Sequence, residues 1–251
     1  MMSGLADTRF SQARGLELPR LAVSDGTIEA LKWLGVGLMT LDHVNKYLLH
    51  GSAPALFALG RLTLPLFTFV LALNLARPGA LDRGTYRRTA TRLLMFGSIS
   101  SVPFIALGGL GAGWWPLNIM ATLLLGTSVV YLLDRGGILR VAFALVLFFV
   151  GGGLVEFWWP AIAMMVAAWR YVRRPSWLAL LAWLLATLAL NLNGWAFAGM
   201  PIVNASTWAL AAFPIIFSAP LVRFAVPRLR YVFYVYFPLH LAILWAIRSF
   251  T

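Results

Sequence analysis

Long apolar runs separated by short polar ones organise the chain. A helix that crosses a hydrocarbon core needs about 20 mainly apolar residues. By that measure the runs predict nine spans, at 30–49, 54–76, 89–108, 116–133, 138–152, 154–170, 177–193, 201–222 and 231–249. The fifth and sixth are short, and Gly151-Gly152-Gly153 between them reads either as a tight turn or as a broken helix.

Charge follows the same alternation. Arg9, Arg14 and Arg20 precede the first span, and Arg77, Arg83, Arg87, Arg88 and Arg92 cluster between the second and third. Arg135 and Arg140, then Arg170, Arg173 and Arg174, then Arg223, Arg228 and Arg230 fill every second gap thereafter. The intervening gaps, 50–53, 109–115, 151–153 and 193–200, carry no Lys or Arg. The positive-inside rule then predicts a cytoplasmic N-terminus and an external C-terminus, which requires an odd number of spans.

Composition agrees with the pattern. The chain is 61% hydrophobic and 11% charged, against about 25% charged in soluble domains. The expectation is an all-α, polytopic helical membrane protein of about nine transmembrane helices. Residues 1–27 read as a polar cytoplasmic tail without a secretory leader, and residues 28–251 as one transmembrane domain. The net charge of +12 lies in loops between apolar segments. That placement points to lipid headgroups and membrane topology rather than to nucleic acid. The absence of cysteine excludes disulfides and thiolate chemistry. Three His residues without carboxylates at ligand spacing predict no metal site.

The polar residues inside the apolar runs carry the candidate chemistry. An ionisable side chain at membrane depth costs roughly 2.5–3.5 kcal/mol on insertion scales, and by default it marks function. Lys32 and His43 lie eleven residues apart on the first predicted helix. That spacing leaves them roughly 20° apart around the axis and about 16 Å apart along it, with the cation at the cytoplasmic end. Asp42 reads as a structural partner of Lys46 or Arg61, or as a participant in chemistry. Arg61 needs a carboxylate or an anionic ligand. Asn118 reads as a cap or an interhelical hydrogen bond. Tyr236 and His240 flank Pro238 on the last span, and end helices that close a bundle would bring His240 toward His43. His50 reads as a solvated loop residue.

Taken in order, Leu31-Lys32-Trp33-Leu34…Met39-Thr40-Leu41-Asp42-His43, Gly60-Arg61…Pro65-Leu66-Phe67 and Arg92-Leu93…Ser98-Ile99-Ser100…Pro103-Phe104, followed by Leu117-Asn118…Thr122-Leu123 and Tyr236-Phe237-Pro238-Leu239-His240-Leu241, resemble the TraX family of membrane acetyltransferases. The resemblance covers about residues 30–249. The basic-x10-His spacing also resembles that of the membrane acyltransferases that acetylate surface sugars. The TraX resemblance implies acetyl-CoA as co-substrate and His43 as the catalytic histidine, acting as general base or acetyl carrier. It also implies a multi-pass place in a bacterial inner membrane and, as acceptor, the N-terminal amine of a pilin subunit held in the membrane or beyond it. His240, Asp42 and Tyr236 join His43 as catalytic candidates. Lys32, Arg61, Arg87, Arg88, Arg92 and Asn118 are the candidates for holding the donor. O-acetylation of a sugar, proton-coupled transport and a structural role in an assembly remain the alternatives.

Overall fold

A computed structural model describes residues 18–108, 110–192, 204–229 and 231–250. Most of the expected N-terminal tail, the gap at 193–200 and the start of the eighth predicted span lie outside them. Among the described residues the chain is helical, apart from loops and a single bridge between Leu117 and Val155.

Helix α1, Asp25–Tyr47, starts where the Ser24 side chain accepts the Thr27 N–H at 3.3 Å. The second predicted span is two helices, α2 (Pro54–Gly60) and α3 (Thr63–Ala76). Pro65 has no N–H to offer the Arg61 carbonyl, so the ladder breaks at Arg61-Leu62. Helix α4 is Thr85–Leu107 and α5 is Ile119–Arg135; α6 is Ile138–Val146, extended by a π turn over Leu147–Gly151. Helix α7 is Trp158–Arg173 and α8 is Trp177–Leu188. The eighth predicted span contains a 3₁₀ turn, Ala205–Ala211, the short α9, Ala212–Ser218, and a second 3₁₀ turn, Ala219–Leu221. Helix α10, Val232–Phe250, closes the chain.

Helix α7 lies against α3, α5 and α8, while α10 packs along α4 and touches α1. The core centres on Trp183, which is fully buried. Its ring meets Phe69 at 5.8 Å, Tyr171 at 5.9 Å and Phe213 at 5.0 Å. Aromatic pairs at these separations add to the burial of the rings themselves. Helices α5 and α7 approach closely at Gly126, where an added Cβ would stand 2.6 Å from the Met165 sulfur.

The exterior is apolar. Leu94, Ile99 and Val102 of α4 and Leu178, Leu181 and Leu185 of α8 are exposed, as side chains facing lipid would be. Among the described residues, three stretches are long and apolar enough to cross a membrane: Pro54–Ala76, Thr85–Leu107 and Val232–Phe250. Helix α1 does not reach that apolarity, because it carries Asp25, Glu29, Lys32, Asp42 and Lys46. Two of these charges are held in pairs with Arg77 and Arg61, and Lys32 bonds Glu29 at 2.6 Å.

The sixth predicted span is corrected at its start. Residues 153–157 form a turn, and α7 begins only at Trp158. Phe157 and Trp158 both have left-handed backbone, with φ of 64° and 49°. Such a conformation in a bulky residue costs on the order of 1 kcal/mol or more.

A candidate active site between the first and last helices

The turn between α7 and its preceding glycines faces the C-terminal third of α1, where His43 stands. His43 Nδ1 lies 2.7 Å from His240 Nε2, with the two ring planes nearly parallel. His240 Nδ1 is 3.0 Å from the Tyr236 carbonyl oxygen. A carbonyl only accepts, so His240 carries its proton on Nδ1 and presents a lone pair at Nε2. In the neutral pair, His43 therefore donates from Nδ1, and its Nε2 is left as an unprotonated base. The Tyr236 hydroxyl is committed elsewhere. Thr40 Oγ1 donates to the Val36 carbonyl at 2.8 Å, so Tyr236 donates to Thr40 at 2.7 Å. The expected meeting of the end helices is present, but Tyr236 and His240 act behind His43. Neither lines the cavity in front of it.

That cavity, of about 470 Å³, is lined by Asp42, His43, Lys46, His50, Arg61 and Glu156 among others. Asp42 is bound by Arg61, Nη2 to Oδ2 at 2.7 Å, which selects Arg61 over Lys46 as its partner. The pair depends on Gly60: an added Cβ would stand 2.4 Å from Asp42 Cβ and 2.6 Å from its Cγ. Gly60→Ala should therefore separate the pair and lower thermal stability, which a melting curve in detergent would register. Arg61 lies over the Phe57 ring at 4.2 Å. Its Nε is buried and has no hydrogen-bond partner among the described residues. His50 is exposed in the turn after α1, as expected of a solvated loop residue, and with Gly51 it contributes to this cavity's lining.

A second cavity, also of about 470 Å³, opens around the N-terminal half of α1. Lys32, Arg77, Arg83, Arg88, Arg92 and Arg228 line it, and no carboxylate does. Arg77 binds Asp25, and its guanidinium holds that carboxyl below the usual carboxylate range. Lys32 also sits 5.1 Å from the centre of the Phe233 ring, and Arg92 sits 4.7 Å from that of Tyr231. The two cavities share a wall made of Met39 and Ile119. The Lys32–His43 face of α1 is thus one face serving two chambers, divided at Met39.

Three donor-holding candidates are relocated. Arg61 belongs to the histidine cavity, and Arg87 lines neither chamber. Asn118 caps α5, accepting the Met120 N–H at 3.0 Å, and donates to the Gly97 carbonyl and to Ser101 Oγ at 2.9 and 3.0 Å. Those bonds make it an interhelical tie. Sequence reasoning passed over Glu156, Arg77 and Arg228. An isolated carboxylate in an apolar run was the signal for Glu156.

No curated protein and no solved structure matches the chain. The family described as TraX protein matches residues 27–248, a stretch that holds both cavities and the paired histidines. On that match, spanning nearly the whole sequence, this membrane protein belongs to the TraX family.

Proposed function

We propose that the protein is an acetyltransferase of the bacterial inner membrane that moves an acetyl group from cytosolic acetyl-CoA to an acceptor amine, such as a pilin N-terminus, beyond the bilayer core. The observation that supports this reading best is the pair of chambers, one basic and one bearing histidine, that meet at Met39 and Ile119. The anionic end of the donor suits Lys32, Arg83, Arg88 and Arg92. Its pantetheine arm is extended and uncharged, with a reach on the order of the 16 Å rise from Lys32 to His43. The nine-span arrangement with a cytoplasmic N-terminus would place the basic chamber toward the cytosol.

In the transfer step the amine nitrogen attacks the thioester carbonyl carbon. A C–N bond forms, the C–S bond breaks, and the nitrogen's proton passes to His43 Nε2 and then to the departing thiolate. The products are the acetamide and free CoA. General-base assistance of this kind is worth about 10²–10⁴ in rate. His240 stabilises the imidazolium that forms, because the bond from His43 Nδ1 strengthens as that ring gains charge. Arg61, on the cavity wall, is the guanidinium positioned to donate to the developing oxyanion.

The first experiment is acetyl-CoA binding and slow thioester hydrolysis by the purified protein in detergent. Binding with His43-dependent loss of acetyl supports the reading, and no binding at millimolar donor sinks it. A proton-coupled carrier is the competing class, since a buried Asp42–Arg61 pair also suits transport. It predicts no CoA binding. Arg88→Glu and Arg92→Glu should each weaken donor binding about tenfold or more, with less salt dependence than wild type. His240→Ala should leave the donor Kd unchanged and shift the pH profile of kcat, because His43 loses the group that fixes its tautomer. An unchanged profile would reduce His240 to a packing role.

A further inference from the structure

Glu156 has the attributes of a placed group. Its N–H donates to the Leu117 carbonyl at 2.8 Å, and its carbonyl accepts from Thr122 Oγ1 at 2.6 Å. The two residues that follow it are held in left-handed backbone, a strain that persists only where the surroundings over-determine it. All of this fixes one carboxylate on the wall of the histidine cavity. A carboxylate offers two oxygens and about four acceptor positions. The charges around it are already arranged. Asp42 is taken by Arg61, and Lys46 and Arg61 line the same cavity as Glu156 without an ion pair to it among the described residues.

We infer that Glu156 is the acceptor-recognition residue of the histidine cavity and that it selects a cationic primary amine over a neutral hydroxyl. This rests on the acetyltransferase reading above. An ammonium group gains a charge-assisted hydrogen bond from the carboxylate, whereas a hydroxyl gains only a neutral one. An N-terminal ammonium has a pKa of about 7.7–8.0 and gives up its first proton readily. Lys46 and Arg61 offset the carboxylate's tendency to hold that proton on nitrogen. The second proton leaves through His43 as described, so the net products are the acetamide, CoA and one proton.

The test uses the full-length protein in detergent as wild type, Glu156→Gln and Glu156→Asp. The acceptors are a short peptide beginning with alanine and the same peptide beginning with lactate, its hydroxyl counterpart. Glu156→Gln keeps the side chain's size and removes its charge, and should raise KM for the alanyl peptide about tenfold or more. The ratio of alanyl to lactyl kcat/KM should fall about tenfold or more, and Glu156→Asp should fall between. Equal effects on both peptides, or none, overturn the inference. Failure of wild type to transfer acetyl to either peptide defeats the acetyltransferase reading instead. Thermal stabilisation by the alanyl peptide then decides separately: loss of that stabilisation in Glu156→Gln supports a cation site, and the same shift in both proteins, or no shift in wild type, overturns it.

Discussion

Alanine at His43 should lower acetyl transfer by about 10²–10⁴ while leaving the donor Kd within about twofold. The two effects separate because the residues proposed to hold the donor line the other chamber, beyond Met39 and Ile119. His43 also packs beside Tyr47, Phe237 and His240, with ring centroids 5.7, 6.5 and 5.0 Å away. The alanine variant consequently loses packing, and His43→Gln is the control that keeps most of the volume and a hydrogen-bond donor toward His240. Both variants should lose transfer, and the glutamine protein should melt closer to wild type. Transfer at the wild-type rate by either one would remove His43 from the chemistry.

Arg61→Met should destabilise the protein by about 3–5 kcal/mol, because it leaves the Asp42 carboxylate without its partner in a largely buried setting. Asp42→Leu should do comparable harm by leaving the guanidinium alone. The double variant Asp42→Leu/Arg61→Met should recover much of the loss, since a buried pair replaced by apolar side chains of similar size is often close to neutral. Catalysis should not recover with stability. Arg61 is the proposed oxyanion donor of the cavity, and removal of such a donor costs about 10²–10³ in kcat. Unfolding and acetyl transfer measured on the same three proteins decide the matter. A double variant that regains both stability and transfer would show that the pair only holds α1 to the α2–α3 junction.

Much of this was legible in the chain because membrane helices leave polar residues few places to go. The spacing of Lys32 and His43 set them on one face, and the charge of Arg61 demanded a carboxylate that Asp42 provides. His240 met His43 because the last helix closes beside the first. The break at Arg61-Leu62 could have been read from Pro65, whose missing N–H strands the carbonyl four residues earlier. The turn at 153–157 could not be read from periodicity. Leu154, Val155, Phe157, Trp158 and Trp159 are as apolar as a helix would be, and two left-handed residues outside glycine leave no compositional mark. The division of the α1 face into two chambers was also hidden, since it depends on Ile119 arriving from α5 to meet Met39.

That partition bears on the electrical life of a cell. A membrane holding a voltage must not contain a continuous column of water, and each elementary charge crossing 100 mV gains or loses about 2.3 kcal/mol. If the two chambers open to opposite sides of the membrane, as the proposed arrangement requires, the Met39 thioether and the Ile119 alkyl group between them would form an insulating septum across which the local field concentrates. An uncharged thioester arm could thread such a septum, while phosphates, ammonium groups and hydrated protons would be turned back. Carbon could thus cross as acetyl while the ionic gradients on either side stay intact.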